Sequence, residues 1–90
     1  MWKIEYSRRF LKELSKLPLA IRDRIETIVF EELPQGHPFT LGYIEHLTGY
    51  SDKYKIRVKD HRIGLIIDKA AKILICQRVA HRKDIYRIFP

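Results

Sequence analysis

Tyr54-Lys55-Ile56-Arg57-Val58-Lys59, then Asp60-His61, then Arg62-Ile63-Gly64-Leu65-Ile66-Ile67-Asp68: two ordered runs separated by two polar residues decide how this chain folds. In the first run apolar and cationic residues alternate, the period of a strand with one buried and one open side. Tyr54, Ile56 and Val58 share the buried side, so Lys55, Arg57 and Lys59 stand in a row on the other. A turn at Lys59-Asp60 pairs Arg57 with Arg62, and one at Asp60-His61 pairs Lys59 with Arg62; any even-length turn adds Arg62 to the basic side. Unit charges roughly 5 Å apart repel by about 3 kcal/mol at an effective dielectric of about 20 and by under about 1 kcal/mol in bulk water. Folding alone does not favour such a row. A bound phosphate reverses the sign of that energy, so Lys55, Arg57 and Arg62 are read as an anion site.

Outward from this hairpin, Lys69-Ala70-Ala71 leads into a third run, Lys72 to Ala80. It is apolar on both sides, Ile73 and Ile75 against Leu74 and Cys76, which predicts a central strand covered on both faces. Toward the N-terminus, Trp2, Ile4 and Tyr6 alternate with Lys3 and Glu5 as a first strand, and Ser7 is placed to cap a helix. Phe10, Leu11, Leu14 and Leu17 then recur at helical spacing until Pro18 ends that helix and opens another, whose face is Ile21, Ile25, Ile28, Val29 and Leu33. Pro34, Gly36 and Pro38 stop the second helix and begin an irregular stretch to about Leu47. The expected fold is α+β in the order β-α-α-β-β-β, with two N-terminal helices packed on one face of a four-stranded, mainly antiparallel twisted sheet. The opposite face is left for function.

Ninety residues with 46% apolar and 32% charged content suit a single domain spanning residues 1–90, since two would each lack an interior. The longest uncharged apolar run, Ile63 to Ile67, is far below the roughly 20 residues that cross a bilayer, so no membrane partner is expected. Met1 is not followed by a signal-peptide core, and the lone Cys76 cannot form an internal disulfide; both point to the cytoplasm. Charge is divided unevenly. Residues 1–50 balance seven Lys and Arg against seven Asp and Glu, whereas residues 51–90 hold eleven Lys and Arg against four Asp and carry the whole net charge of +7. That asymmetry points to a polyanionic partner, most commonly a phosphate backbone.

Past the last strand, Ala80-His81-Arg82-Lys83-Asp84-Ile85-Tyr86-Arg87 gathers polar groups at a strand end. His81 can exchange a proton, Arg82 can offset phosphate charge and Tyr86 offers a platform for a base, a set that a nuclease could use. No metal and no other cofactor is expected: His37, His46, His61 and His81 lack ligand spacing, the carboxylates do not cluster, and no Gly-rich phosphate loop is present. Cys76, between Ile75 and Gln77, is read as a small buried hydrophobe.

Three segments, Tyr54-Lys55-Ile56-Arg57-Val58, His61-Arg62-Ile63 and Val79-Ala80-His81-Arg82-Lys83-Asp84-Ile85-Tyr86, resemble the RelE/ParE superfamily of bacterial toxins from toxin-antitoxin pairs. The opening, Phe10 to Leu17 followed by Pro18 and a second helix, resembles it too, so the likeness covers essentially the whole chain. For the RelE branch it implies a ribosome-dependent endoribonuclease that enters the 30S A site, meets rRNA and mRNA there, and cuts the message by 2′-hydroxyl attack without a metal. It implies a catalytic set of Lys55, Arg57, Arg62, His81, Arg82 and Tyr86, with Lys53, Lys59, Lys83 and Arg87 as further RNA-binding cations. Lys55, among other cations, is then the expected base, His81 or Arg82 serves the leaving 5′-oxygen, and Tyr86 orients the RNA. A cognate acidic antitoxin is implied as well, through which the toxin-antitoxin complex would bind operator DNA. Two departures stand out: Arg57 occupies a position where the best-known pattern has Lys, and the chain reaches Pro90 with little room for a C-terminal helix. The alternatives are a ParE-like inhibitor of DNA gyrase and a non-catalytic RNA-binding domain.

Overall fold

In the computed structural model, which describes residues Met1–Pro90, the hairpin lies inside a five-stranded sheet ordered β1-β5-β4-β3-β2. Along the chain the elements are β1 (Lys3–Tyr6), α1 (Arg8–Ser15), α2 (Leu19–Glu26), α3 (Leu33–Gln35), β2 (Ile44–His46), β3 (Lys53–Val58), β4 (His61–Asp68), β5 (Ile73–His81) and α4 (Arg82–Ile88). Only β1 runs parallel to its neighbour β5; the other pairs are antiparallel. The α+β class and the helix-on-sheet arrangement are as expected.

The hairpin turn is Lys59-Asp60, with Val58 opposite His61 and Arg57 opposite Arg62. Lys59 enters the left-handed region at φ 54° to make it. That register puts Tyr54, Ile56, Val58, Ile63, Leu65 and Ile67 on one face, where they join Leu74, Cys76 and Val79 of β5. Phe10 and Leu14 of α1 cover this face beside Ile25, Ile28, Val29 and Leu33 of the second helical stretch. Ser7 caps α1 as expected: its hydroxyl accepts from Phe10 N at 3.0 Å and donates to Gln77 O at 2.8 Å. Between α2 and α3 the helix widens to a π-helical Thr27–Glu32, where Leu33 N donates five residues back to Ile28 O. Tyr6 donates its phenol to Val29 O in that widened stretch. Burial, and then the neighbouring Cys76, push this phenol up to about 12.

Three expectations are corrected. The sheet has five strands, because Ile44–His46, inside the stretch read as irregular, pairs with β3. Three residues are too few to show a periodicity, and only the edge of β3 supplies the reason for a strand there. The C-terminal segment, read as a strand end with little room for a helix, forms α4, seven residues long. Its apolar side, with Ile85 and the following Phe89 buried, lies on the sheet face opposite the core. Lastly, β5 lies inside the sheet but is fully covered on one face only. Leu74 and Cys76 are buried, whereas Ile73 and Ile75 on the other face are partly exposed.

Beyond Tyr6 the edge of β5 has no strand beside it, and α1 takes over. Val79 N donates to Glu13 Oε1 at 3.0 Å. Arg78 donates to Glu13 Oε2 from Nε at 2.9 Å and from Nη2 at 2.7 Å, while its Nη1 reaches Ile88 O at 3.2 Å. One ion pair thus ties the core-side helix, the sheet and the end of α4 together. The β4–β5 register slips at this height, from Gly64 opposite Arg78 to Leu65 opposite Cys76, leaving Gln77 unpaired.

Candidate nucleic-acid interface

Alternation along β3 brings Lys53, Lys55 and Arg57 to the open face, and the two-residue turn adds Arg62 beside Arg57. These opposed guanidiniums do not simply repel. Arg57 Nη2 approaches Glu45 Oε1 of β2 at 3.8 Å. Arg62 bends toward the turn and donates from Nη1 to Lys59 O at 2.7 Å and His61 O at 2.8 Å. The fold therefore carries its own relief for the basic row, which reading the hairpin alone left to a bound phosphate. Glu45 also stands directly opposite Lys55. The sequence reading missed this carboxylate, because nothing short of the β2–β3 register places it in the row.

Lys55 and Arg62 line a narrow cleft with Leu47, Gly64, Ile85, Tyr86 and Phe89. Gly64 is its floor and α4 its wall. A Cβ on Gly64 would lie 2.5 Å from the Phe89 ring, so glycine is what lets the chain end seat on the sheet. Tyr86 projects from α4 beside the cleft with 76% of its surface exposed. Arg57 is exposed on the same face, and Arg82 is exposed at the start of α4, where its backbone N–H donates to Asp60 O at 2.8 Å.

His81 reaches this region in a different way. Its Nδ1 accepts from Lys83 N at 3.1 Å and so caps α4, while its Nε2 faces Asp60 Oδ2 at 3.3 Å. His61 Nδ1 lies 2.9 Å from the other oxygen of the same carboxylate. The two imidazoles meet edge-on at 5.4 Å. Asp60 is held below its ordinary range, chiefly by the hydrogen bond from His61.

The further cations do not converge on the cleft. Lys53 bonds Asp52 and lines a separate hollow with Arg9, Arg78 and Phe89, so Phe89 stands between it and Lys55. Lys59 sits exposed in the turn, Lys83 is exposed on α4, and Arg87 pairs with Asp84. No group of three or more His, Cys, Asp or Glu side chains is placed to hold a metal ion, and no helix is long and apolar enough to cross a membrane.

Comparison with known proteins adds three findings. The family model described as the ParE toxin of type II toxin-antitoxin system, parDE, matches residues 4–86. The curated Toxin RelE3 of Methanocaldococcus jannaschii is 36% identical over 89 residues, which are 98% of this chain and 99% of that one. Among solved structures, the RelB-RelE antitoxin-toxin complex from Methanococcus jannaschii is similar with a TM-score of 0.79 at 36% identity, covering 96% of this chain and 99% of that chain. The toxin-antitoxin complex RelBE2 from Mycobacterium tuberculosis shares the fold, with a TM-score of 0.70 at 21% identity over 90% of this chain and 98% of that chain.

Proposed function

The chain belongs to the RelE/ParE toxin family of type II toxin-antitoxin systems, and from that premise we propose that it is an endoribonuclease that cuts messenger RNA in the ribosomal A site. The observation that carries this reading is the convergence of Lys55, Arg62 and Tyr86 on one narrow cleft, with Arg57 and Arg82 exposed on the adjoining surface. Cations beside an aromatic ring suit a single RNA strand, whose phosphate needs a counter-charge and whose unstacked base needs a platform.

The chemistry requires no metal. The 2′-oxygen attacks the adjacent phosphorus, its proton passes to a base, and the bond from phosphorus to the 5′-oxygen breaks to leave a 2′,3′-cyclic phosphate. In this reading Lys55 is the base. Glu45, opposite it on β2, is a second group able to accept a proton. Arg57 and Arg62 stabilise the added negative charge on phosphorus, Arg82 stabilises the departing 5′-oxygen as it takes a proton from water, and Tyr86 orients the strand. Lys59, Lys83 and Arg87 would meet more distant phosphates of mRNA or rRNA, and Lys53 would do so from the neighbouring hollow. Since similar structures are RelB-RelE complexes, the proposed partner is an acidic antitoxin that covers this basic face and brings the pair to operator DNA.

The family description also names ParE, which keeps gyrase poisoning as a second reading. Induced expression separates the two: truncated messages on ribosomes are expected, and trapped gyrase-DNA breaks without message cleavage would favour the second. With purified components, Arg62→Ala should slow cleavage on the order of 100-fold, as loss of one preorganised electrostatic contact does. A wild-type rate in that variant removes Arg62 from the site. Single-turnover profiles against pH assign the base: the acidic limb should disappear in Lys55→Ala and persist in Glu45→Gln, and the reverse pattern transfers the role to Glu45.

A further inference from the structure

One ring nitrogen of His81 is hydrogen-bonded within the protein, and the other lies against a carboxylate. Nδ1 accepts the Lys83 backbone N–H at 3.1 Å, which requires that nitrogen to be unprotonated. The proton of the neutral ring is then on Nε2, where it faces Asp60 Oδ2 at 3.3 Å. Asp60 belongs to the β3–β4 turn, and its backbone oxygen accepts from Arg82 N at 2.8 Å. Its second carboxylate oxygen is held by His61 Nδ1 at 2.9 Å. The same turn also anchors Arg62, through Lys59 O at 2.7 Å.

We propose that His81 is a positioning residue and not the proton donor, acting with Asp60 as a clasp that fastens the start of α4 to the hairpin turn. The clasp fixes where Arg82 and Tyr86 stand relative to Arg62 and Lys55. A histidine is an unusual helix cap, and here it serves because the carboxylate behind it holds the ring with Nδ1 turned toward the helix. Nε2 of His81 lies against Asp60 and His81 does not line the cleft, while donating a proton from Nδ1 would cost the cap. The role in catalysis rests on the ribonuclease reading; the structural role does not.

Two variants of one residue separate the roles, since asparagine caps helices well but cannot titrate, whereas alanine does neither. In hydrogen exchange on the free, full-length protein, the Lys83 amide should stay protected in His81→Asn and lose protection in His81→Ala and Asp60→Ala. Protection unchanged in all three variants overturns the clasp, whatever the enzyme activity. In single-turnover cleavage on programmed ribosomes, His81→Ala and Asp60→Ala should lose on the order of ten- to a hundredfold, as loss of a supporting contact does. His81→Asn should recover most of that loss. A variant His81→Asn as slow as His81→Ala while its Lys83 amide remains protected shows that His81 is the proton donor and overturns the proposal. If the wild type cleaves no RNA, the functional reading fails and the exchange experiment still decides the clasp.

Discussion

Gly64 and Phe89 are one device made of two residues. The ring occupies the space a side chain would need, with a Cβ at position 64 falling 2.5 Å from it, so Gly64→Ala must lift the chain end off the sheet or strain it. Overpacking of this kind costs about 1–3 kcal/mol. The expected outcome is a lower urea midpoint together with faster hydrogen exchange in α4; an unchanged midpoint would mean that Phe89 is not held there in solution. Asp60 gives a second prediction at this scale. The hydrogen bond from His61, with a smaller contribution from a backbone hydrogen bond, lowers its folded pKa below the ordinary 3.8. Stability from a depressed carboxyl is present above the unfolded pKa and is lost as pH falls through the folded one. Thermal melts should therefore lose more stability in the wild type than in Asp60→Asn as the pH falls below about 5. Equal losses would remove this account of Asp60.

Among the elements, α1 and α4 are joined across the sheet edge by Glu13 and Arg78, whose side chains are 22% and 16% exposed. Removing one member leaves a largely desolvated charge and frees Val79 N as well when Glu13 is the one lost. Arg78→Ala and Glu13→Ala should each cost about 2–3 kcal/mol in chemical denaturation, toward the low end for a buried pair because both ends retain some solvent. A loss below about 0.5 kcal/mol would place this bridge among ordinary surface pairs. The elements also show what was legible beforehand. Alternation from Tyr54 to Lys59 yielded the hairpin, its buried side and the basic row, and Ser7 marked a helix start, because each signal is local and repeats several times. β2 has three residues and exists through its partner strand. α4 did leave a trace, Ile85, Ile88 and Phe89 at helical spacing, but its cap is a histidine and the pattern spans little more than one turn. Among site residues, Lys55, Arg57 and Arg62 followed from the period of two, and the turn at Lys59-Asp60 was one of two registers considered. Glu45 and the clasp at Asp60 depend on which distant segments meet, which no local pattern encodes.

Over the whole molecule, a net charge of +7 carried entirely by residues 51–90 falls on β3, β4, β5, α4 and the turns that join them, most of it on the elements that build and flank the cleft. The N-terminal half, without net charge, supplies the helices that cover one face of the sheet, while the C-terminal half contributes the strands of the core and presents cations to a polyanion on the other face. A field of this kind brings RNA to the surface without regard to sequence. What it does not supply is a bond-breaking step, and the one proposed is that the cleft directs a ribose 2′-oxygen at its own 3′-phosphate. The most direct measurement uses ribosomes programmed with a message carrying a single 2′-deoxy substitution at the nucleotide 5′ of the cut, mixed with the purified protein and compared with the unmodified message. The account predicts cleavage of the unmodified message to a 2′,3′-cyclic phosphate and a 5′-hydroxyl, and no cleavage of the substituted message at that position. Equal cutting of both messages, or no cutting of either while the protein traps gyrase on DNA, would contradict it.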